Sequence, residues 1–156
     1  MKSRSNVAVA VIAFAVGVAA LVGLVALWAH GTQSLNGVAA GQRLYRTGIG
    51  SAGRPVSRIG SMMPMMSTGC AGCHGTDGHG RTTAVFAAPN ITYANLTDPR
   101  GMLQPDGTRG PTYTDPLIRR AVVEGIDPQG QPLAWPMPRW DLSSRDWTNL
   151  LSYLKR

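Results

Sequence analysis

Five consecutive residues, Cys70-Ala71-Gly72-Cys73-His74, bring two thiols and an imidazole together at close spacing. C-x-x-C-H is the attachment sequence for a c-type haem. The thiols would add to the two haem vinyl groups as thioethers, and His74 would lie under the iron as proximal ligand. Two intervening residues set the sulfurs about one helical turn apart, which suits two vinyls on one porphyrin edge. The histidine follows at once, so the same turn carries it beneath the metal. Related chemistries ask for other surroundings. A redox dithiol wants a strand-to-helix context and no histidine directly after it. A Cys2His2 zinc site would have to recruit His79 or His30, and neither stands at finger spacing. A Cys70–Cys73 disulfide would close too small a loop to stabilise much.

Iron held by one histidine has a second axial position to fill. Met137 stands between Pro136 and Pro138, so it is not in a helix interior. It is expected on a stiff extended segment, as suits a side chain that meets a metal from a fixed direction. Met102, the cluster Met62, Met63, Met65 and Met66, or an open iron are the alternatives. The cluster would serve as a haem lid or a spare thioether ligand, and it reads better as flexible apolar packing over the haem edge. A thioether ligand raises the reduction potential and closes the iron to substrates. Methionine ligation therefore implies an electron carrier that is not an enzyme. An open iron implies a five-coordinate haem enzyme or gas sensor, and a third reading is a structural haem subunit of a membrane complex.

Other residues would tune the site. A carbonyl at Pro89 is expected to accept the second ring N–H of His74 and fix its orientation. Trp135, Arg139 and Trp140 surround Met137 and are candidates for the haem environment. Any of the three would hold a propionate, and the tryptophans serve equally as packing on the ring. His79 reads as a loop residue.

These groups need elements to position them. Val7 to Ala29 is a 23-residue run without a charge, flanked by Lys2 and Arg4. As a helix it would be about 35 Å long, enough to cross a bilayer core. Residues 1–30 are read as a membrane anchor or uncleaved signal, 31–37 as a tether and 38–156 as one domain. A cleavable signal with its site at Val38-Ala39-Ala40 is the alternative. Apolar positions Val38, Leu44 and Tyr45 suit a short helix to about Thr47. Gly41 and Tyr45 share a face, and a glycine there lets a second helix approach closely. Residues 48–69, 75–80 and 95–111 are punctuated by Gly and Pro and read as loops. A helix capped at Thr114 or Asp115, with Pro116 in its first turn, should stop at Gly125. A last helix, capped at Ser143 or Ser144, should bury Trp147, Leu150, Leu151 and Leu154.

Composition sets bounds. The 156 residues include 19 Gly and 11 Pro, with only 4 Trp, 4 Tyr and 2 Phe. Such a small, lean domain struggles to bury enough surface alone, and a covalent haem would supply an apolar centre. Both cysteines belong to the motif, so none remains for a structural disulfide. The formal charge of +7 suggests docking on an acidic partner or anionic lipid. The scattered arginines do not suggest nucleic acid.

From residue 38 to the end, the sequence resembles the class I c-type cytochromes in a membrane-anchored, single-haem form. The resemblance rests on Gly41 and Tyr45, Cys70-Ala71-Gly72-Cys73-His74-Gly75, Ala88-Pro89, Gly125-Ile126-Asp127-Pro128, Met137-Pro138 and Tyr153-Leu154-Lys155. It implies an all-α fold whose first and last helices cross near Gly41 and Tyr153 around one covalent haem c, here preceded by one transmembrane helix. It implies Met137 as the sixth ligand. It also implies single-electron transfer in a respiratory chain, on the periplasmic side of the inner membrane. The partner would be an oxidase or quinol–cytochrome c reductase type complex, or a soluble redox protein. Residues 48–69 depart from the simplest family pattern, in which the first helix leads almost directly into the motif.

Overall fold

A computed structural model describes residues 18–25, 36–60, 69–84 and 86–156. The chain divides into two units, Met1–Asn36 and Gly37–Arg156. In the first, helix α1 covers residues 18–25 with its side chains exposed. Helix α2 covers residues 36–47, and the last helix of the second unit is α6, Ser144–Leu154. Between them lie β1 (Arg58–Ile59), α3 (Ala71–His74), β2 (Arg81–Thr82), β3 (Ala87–Ala88), α4 (Tyr93–Leu96), α5 (Asp115–Val123) and β4 (Arg139–Trp140).

The expected helices at the two ends form for the expected reasons. Ser143 caps α6: its hydroxyl accepts from the Asp146 amide and donates to the Asp146 carboxylate. Pro116 opens α5 beside Asp115, where its missing N–H costs nothing. Helices α2 and α6 cross at Gly41. A Cβ there would overlap the Asn149 carbonyl and meet Tyr153. One turn on, the Tyr45 and Tyr153 rings pack with centroids 5.2 Å apart. Leu44, Tyr45, Trp140, Leu142 and Leu150 form one buried cluster. Leu96, Met102, Tyr113, Ile118 and Ala121 form a second, and Ile91, Trp147 and Leu154 pack against both.

The expectation of an all-α fold preceded by a transmembrane helix is corrected on two counts. Four short strands pair antiparallel, β1 with β4 and β2 with β3. In addition, three hairpins of one design form, two within the segments read as loops and one directly after the Gly125 stop. Isolated bridges join Ile49 to Pro55, Leu103 to Arg109 and Ile126 to Pro132. Inside each, an amide donates across the hairpin: Gly50 to Arg54, Gln104 to Thr108 and Asp127 to Gln131, at 2.8–2.9 Å. Each closes on a glycine at positive φ, Gly53, Gly107 or Gly130. This is the three-residue hairpin loop in which a type I turn is followed by a left-handed residue. Glycine and proline exclude helix at these places, but they do not leave the backbone unpaired.

The second count concerns the anchor. Most of the run Val7–Ala29 falls outside the described residues. Among the described residues no helix is long and apolar enough to cross a membrane.

Candidate haem-attachment site

The motif occupies a single helical turn. The amides of Cys73 and His74 both donate to the Cys70 carbonyl, at 3.1 and 2.9 Å, and Gly75 donates to Ala71. The turn leans on the end of α2, where a Cβ at Gly69 would run into the Tyr45 and Arg46 backbone. The Tyr45 hydroxyl, on a side chain only 1% exposed, donates to the Gly75 carbonyl at 2.7 Å. The first helix is thereby pinned to the residue that follows the histidine. Cys70 and Ala71 pack against the cluster containing Trp140, in the strand that follows Met137.

His74 is held from the other side. After the motif the Gly80 amide donates to the His74 carbonyl at 2.9 Å. The chain then runs out through β2 and back through β3, with Arg81 opposite Ala88 and Thr82 opposite Ala87. That return delivers Pro89, whose carbonyl oxygen lies 2.9 Å from His74 Nδ1. A carbonyl only accepts, so Nδ1 carries the proton and Nε2 is the nitrogen left with a lone pair. The ring is 7% exposed. Burial pulls its pKa below the ordinary value and the Pro89 contact partly opposes this. The imidazole is therefore neutral at pH 7, the form that binds metals.

The two thiols are not joined. Burial pushes the Cys70 thiol up to about 12, whereas a redox-active dithiol depends on a lowered thiol pKa. Among the described residues no three His, Cys, Asp or Glu side chains gather to hold a metal ion. The zinc reading therefore has no donor set there. His79 is exposed and faces Asp77 at 3.4 Å, while His30 lies outside the described residues. Two free thiols and a tethered neutral imidazole on one turn fit a covalent haem.

The remaining candidates separate. Met102 is 3% exposed in the second core cluster, which accounts for its side chain without a metal. The Met62–Met66 cluster lies outside the described residues. Met137 is half-buried and sits in a turn, its amide donating to the Ala134 carbonyl at 3.1 Å. That corrects the extended segment expected between Pro136 and Pro138: proline excludes helix interior, but it does not prevent the chain from folding back at Ala134–Met137. Trp135, in the same turn, is 54% exposed. Trp140 is buried, with the Arg58 guanidinium carbon 5.3 Å from its ring centroid. The Arg139 guanidinium donates to the Met137 carbonyl and, at 3.0 Å, to the Leu133 carbonyl.

Sequence reasoning missed the pairing of β1 with β4, which sets Arg58 opposite Trp140 and Ile59 opposite Arg139. The unusual segment before the motif thus reaches the strand after Met137. A two-residue strand leaves no periodicity to read. Comparison with protein-family models, with characterised proteins and with solved structures gave no match.

Proposed function

We propose that the chain is a single-haem c-type electron carrier of the class I kind. The observation that carries this reading is the arrangement around His74. The imidazole is buried, its Nδ1 is committed to the Pro89 carbonyl, and two unbridged thiols share its helical turn. Cys70 and Cys73 would hold the ring and His74 Nε2 the iron, with Met137 as the second axial ligand. The bound haem would supply reversible one-electron chemistry. The Pro89 carbonyl would fix the imidazole plane and strengthen its donor nitrogen. The turn carrying Met137 would close the iron to other ligands. The domain would work on the outer side of the cell membrane, where c-type haem is attached. Its partner would be a respiratory membrane complex or a soluble redox protein, and the net positive charge favours an acidic docking face.

Absorption spectra of the oxidised and reduced protein test the reading, for wild type and Met137→Ala. A weak red methionine-to-ferric-iron band in wild type, lost in the variant, is the expected result. Rapid carbon monoxide binding by the reduced wild type would overturn it in favour of a five-coordinate enzyme or sensor. Haem that is lost on denaturation in acid, rather than retained on the chain, would overturn the covalent attachment.

A further inference from the structure

Arg139 lies two residues past Met137 and is half-buried in a part of the fold with little room for it. Its guanidinium reaches backwards rather than outwards. One terminal nitrogen donates to the carbonyl of Met137 itself, and the other donates at 3.0 Å to the carbonyl of Leu133, on the far side of the Trp135-Pro136 turn. The planar fork thus joins the two ends of the turn that carries Met137.

Its bed is built for it. Gly125 lies directly beneath, and a Cβ there would fall within the guanidinium. The same glycine ends α5 at φ +72 and accepts the Leu133 amide through its carbonyl, at 2.7 Å. Leu133 is therefore fixed from both sides, by Gly125 on its amide and by Arg139 on its carbonyl. On the opposite edge, Arg139 pairs with Ile59 in the β1–β4 ladder.

We infer that Arg139 is the positioning residue for the Met137 thioether: it holds the Leu133–Met137 turn closed so that the sulfur stays on the iron. The inference rests on the reading of Met137 as axial ligand. It is a different role from the propionate contact expected from the sequence: two of the five guanidinium N–H donors go to these backbone carbonyls. A lysine would keep the charge, but its point-like ammonium cannot bridge two carbonyls in the plane of the fork.

The test uses the full-length ferric holoprotein, as wild type, Arg139→Ala and Arg139→Lys. Free imidazole competes with a methionine for ferric iron, so its binding reports how firmly the thioether is held. Loss of two charge-assisted hydrogen bonds should tighten imidazole binding about tenfold or more in Arg139→Ala. The red methionine band should weaken in the same variant. Arg139→Lys should fall between it and wild type, and it decides the matter should the alanine variant fail to fold. A purely structural role would lower the melting temperature of both variants and leave imidazole affinity unmoved, which would overturn the inference alone. A wild type without the methionine band would overturn the ligand reading and this inference with it.

Discussion

The crossing of α2 and α6 can be tested with two glycines that face the same residue. Gly37 and Gly41 lie one turn apart on α2 and both look toward Asn149. At Gly37 an added Cβ would sit 3.3 Å from the Asn149 side-chain oxygen, the end of a side chain that is free to turn away. At Gly41 it would overlap the Asn149 backbone carbonyl and lie 2.9 Å from Tyr153 Cβ. Neither can move without shifting α6. Alanine gains about 1 kcal/mol of helix propensity over glycine in a helix interior, and less in the first turn. Overpacking a well-filled contact costs about 1–3 kcal/mol, and backbone that cannot rotate places Gly41→Ala at or beyond the upper end. The net expectation is a loss of about 2 kcal/mol for Gly41→Ala and a change within about 0.5 kcal/mol for Gly37→Ala. For a domain of this size the first corresponds to a melting temperature lower by about 5–10 °C. Thermal unfolding of the full chain, followed by circular dichroism, measures both. A Gly41→Ala protein as stable as Gly37→Ala would refute the close backbone crossing.

Three further outcomes follow from the same geometry. Burial pushes the Asp146 carboxyl up, but hydrogen bonds from the Ser143 hydroxyl and the Ser51 amide more than offset this and hold it below the ordinary 3.8. Its contribution is therefore fully present above that value and is lost as the pH falls through the folded value. Asp146→Ala should cost about 1–3 kcal/mol in urea unfolding at neutral pH, with the gap to wild type narrowing in acid. Pro89→Ala frees the backbone that aims a carbonyl at His74 Nδ1. A weaker bond there makes Nε2 a poorer donor, so the midpoint potential of the holoprotein should rise by redox titration. Gly53, Gly107 and Gly130 stand at equivalent hairpin positions, and a Cβ at any of them meets open space. Alanine should then cost only the left-handed backbone term, about 1–2 kcal/mol and similar at all three sites by thermal unfolding.

What the sequence made legible is local. The α6 stripe, the Ser143 cap, the Gly125 stop and the C-x-x-C-H turn are each written within a dozen residues, where helical periodicity and capping chemistry act directly. Gly41 and Tyr45 announced a helix crossing because a shared face is a local property, although the partner is a hundred residues away. The hairpins were read only as punctuation. Their Gly and Pro signals mark turns, but whether a turn closes a ladder depends on amides and carbonyls that sequence does not display. The all-α expectation failed there. The contacts of Arg139 with the Met137 and Leu133 carbonyls were not legible in the sequence. They depend on where the fold puts Leu133 and Gly125, which no local pattern displays.

The hairpins also explain how so lean a chain holds a fixed site. Each closes on backbone hydrogen bonds of its own and the first and third are tied to neighbouring elements by polar contacts, so long connections need few apolar side chains to stay in place. The first returns the chain toward β1, which pairs with β4 directly after Met137. The third ends at Leu133, whose carbonyl takes one arm of Arg139. The turn carrying Met137 is therefore braced from a hairpin before it and from a strand after it. His74 is braced in the same manner, by α2 through Tyr45 and Gly75 and by β3 through Pro89. In both places the candidate ligand residue is held by hydrogen bonds that involve backbone: His74 Nδ1 to the Pro89 carbonyl, and the Met137 carbonyl to Arg139. That is the economical solution for a sequence with 19 glycines and 10 aromatic residues.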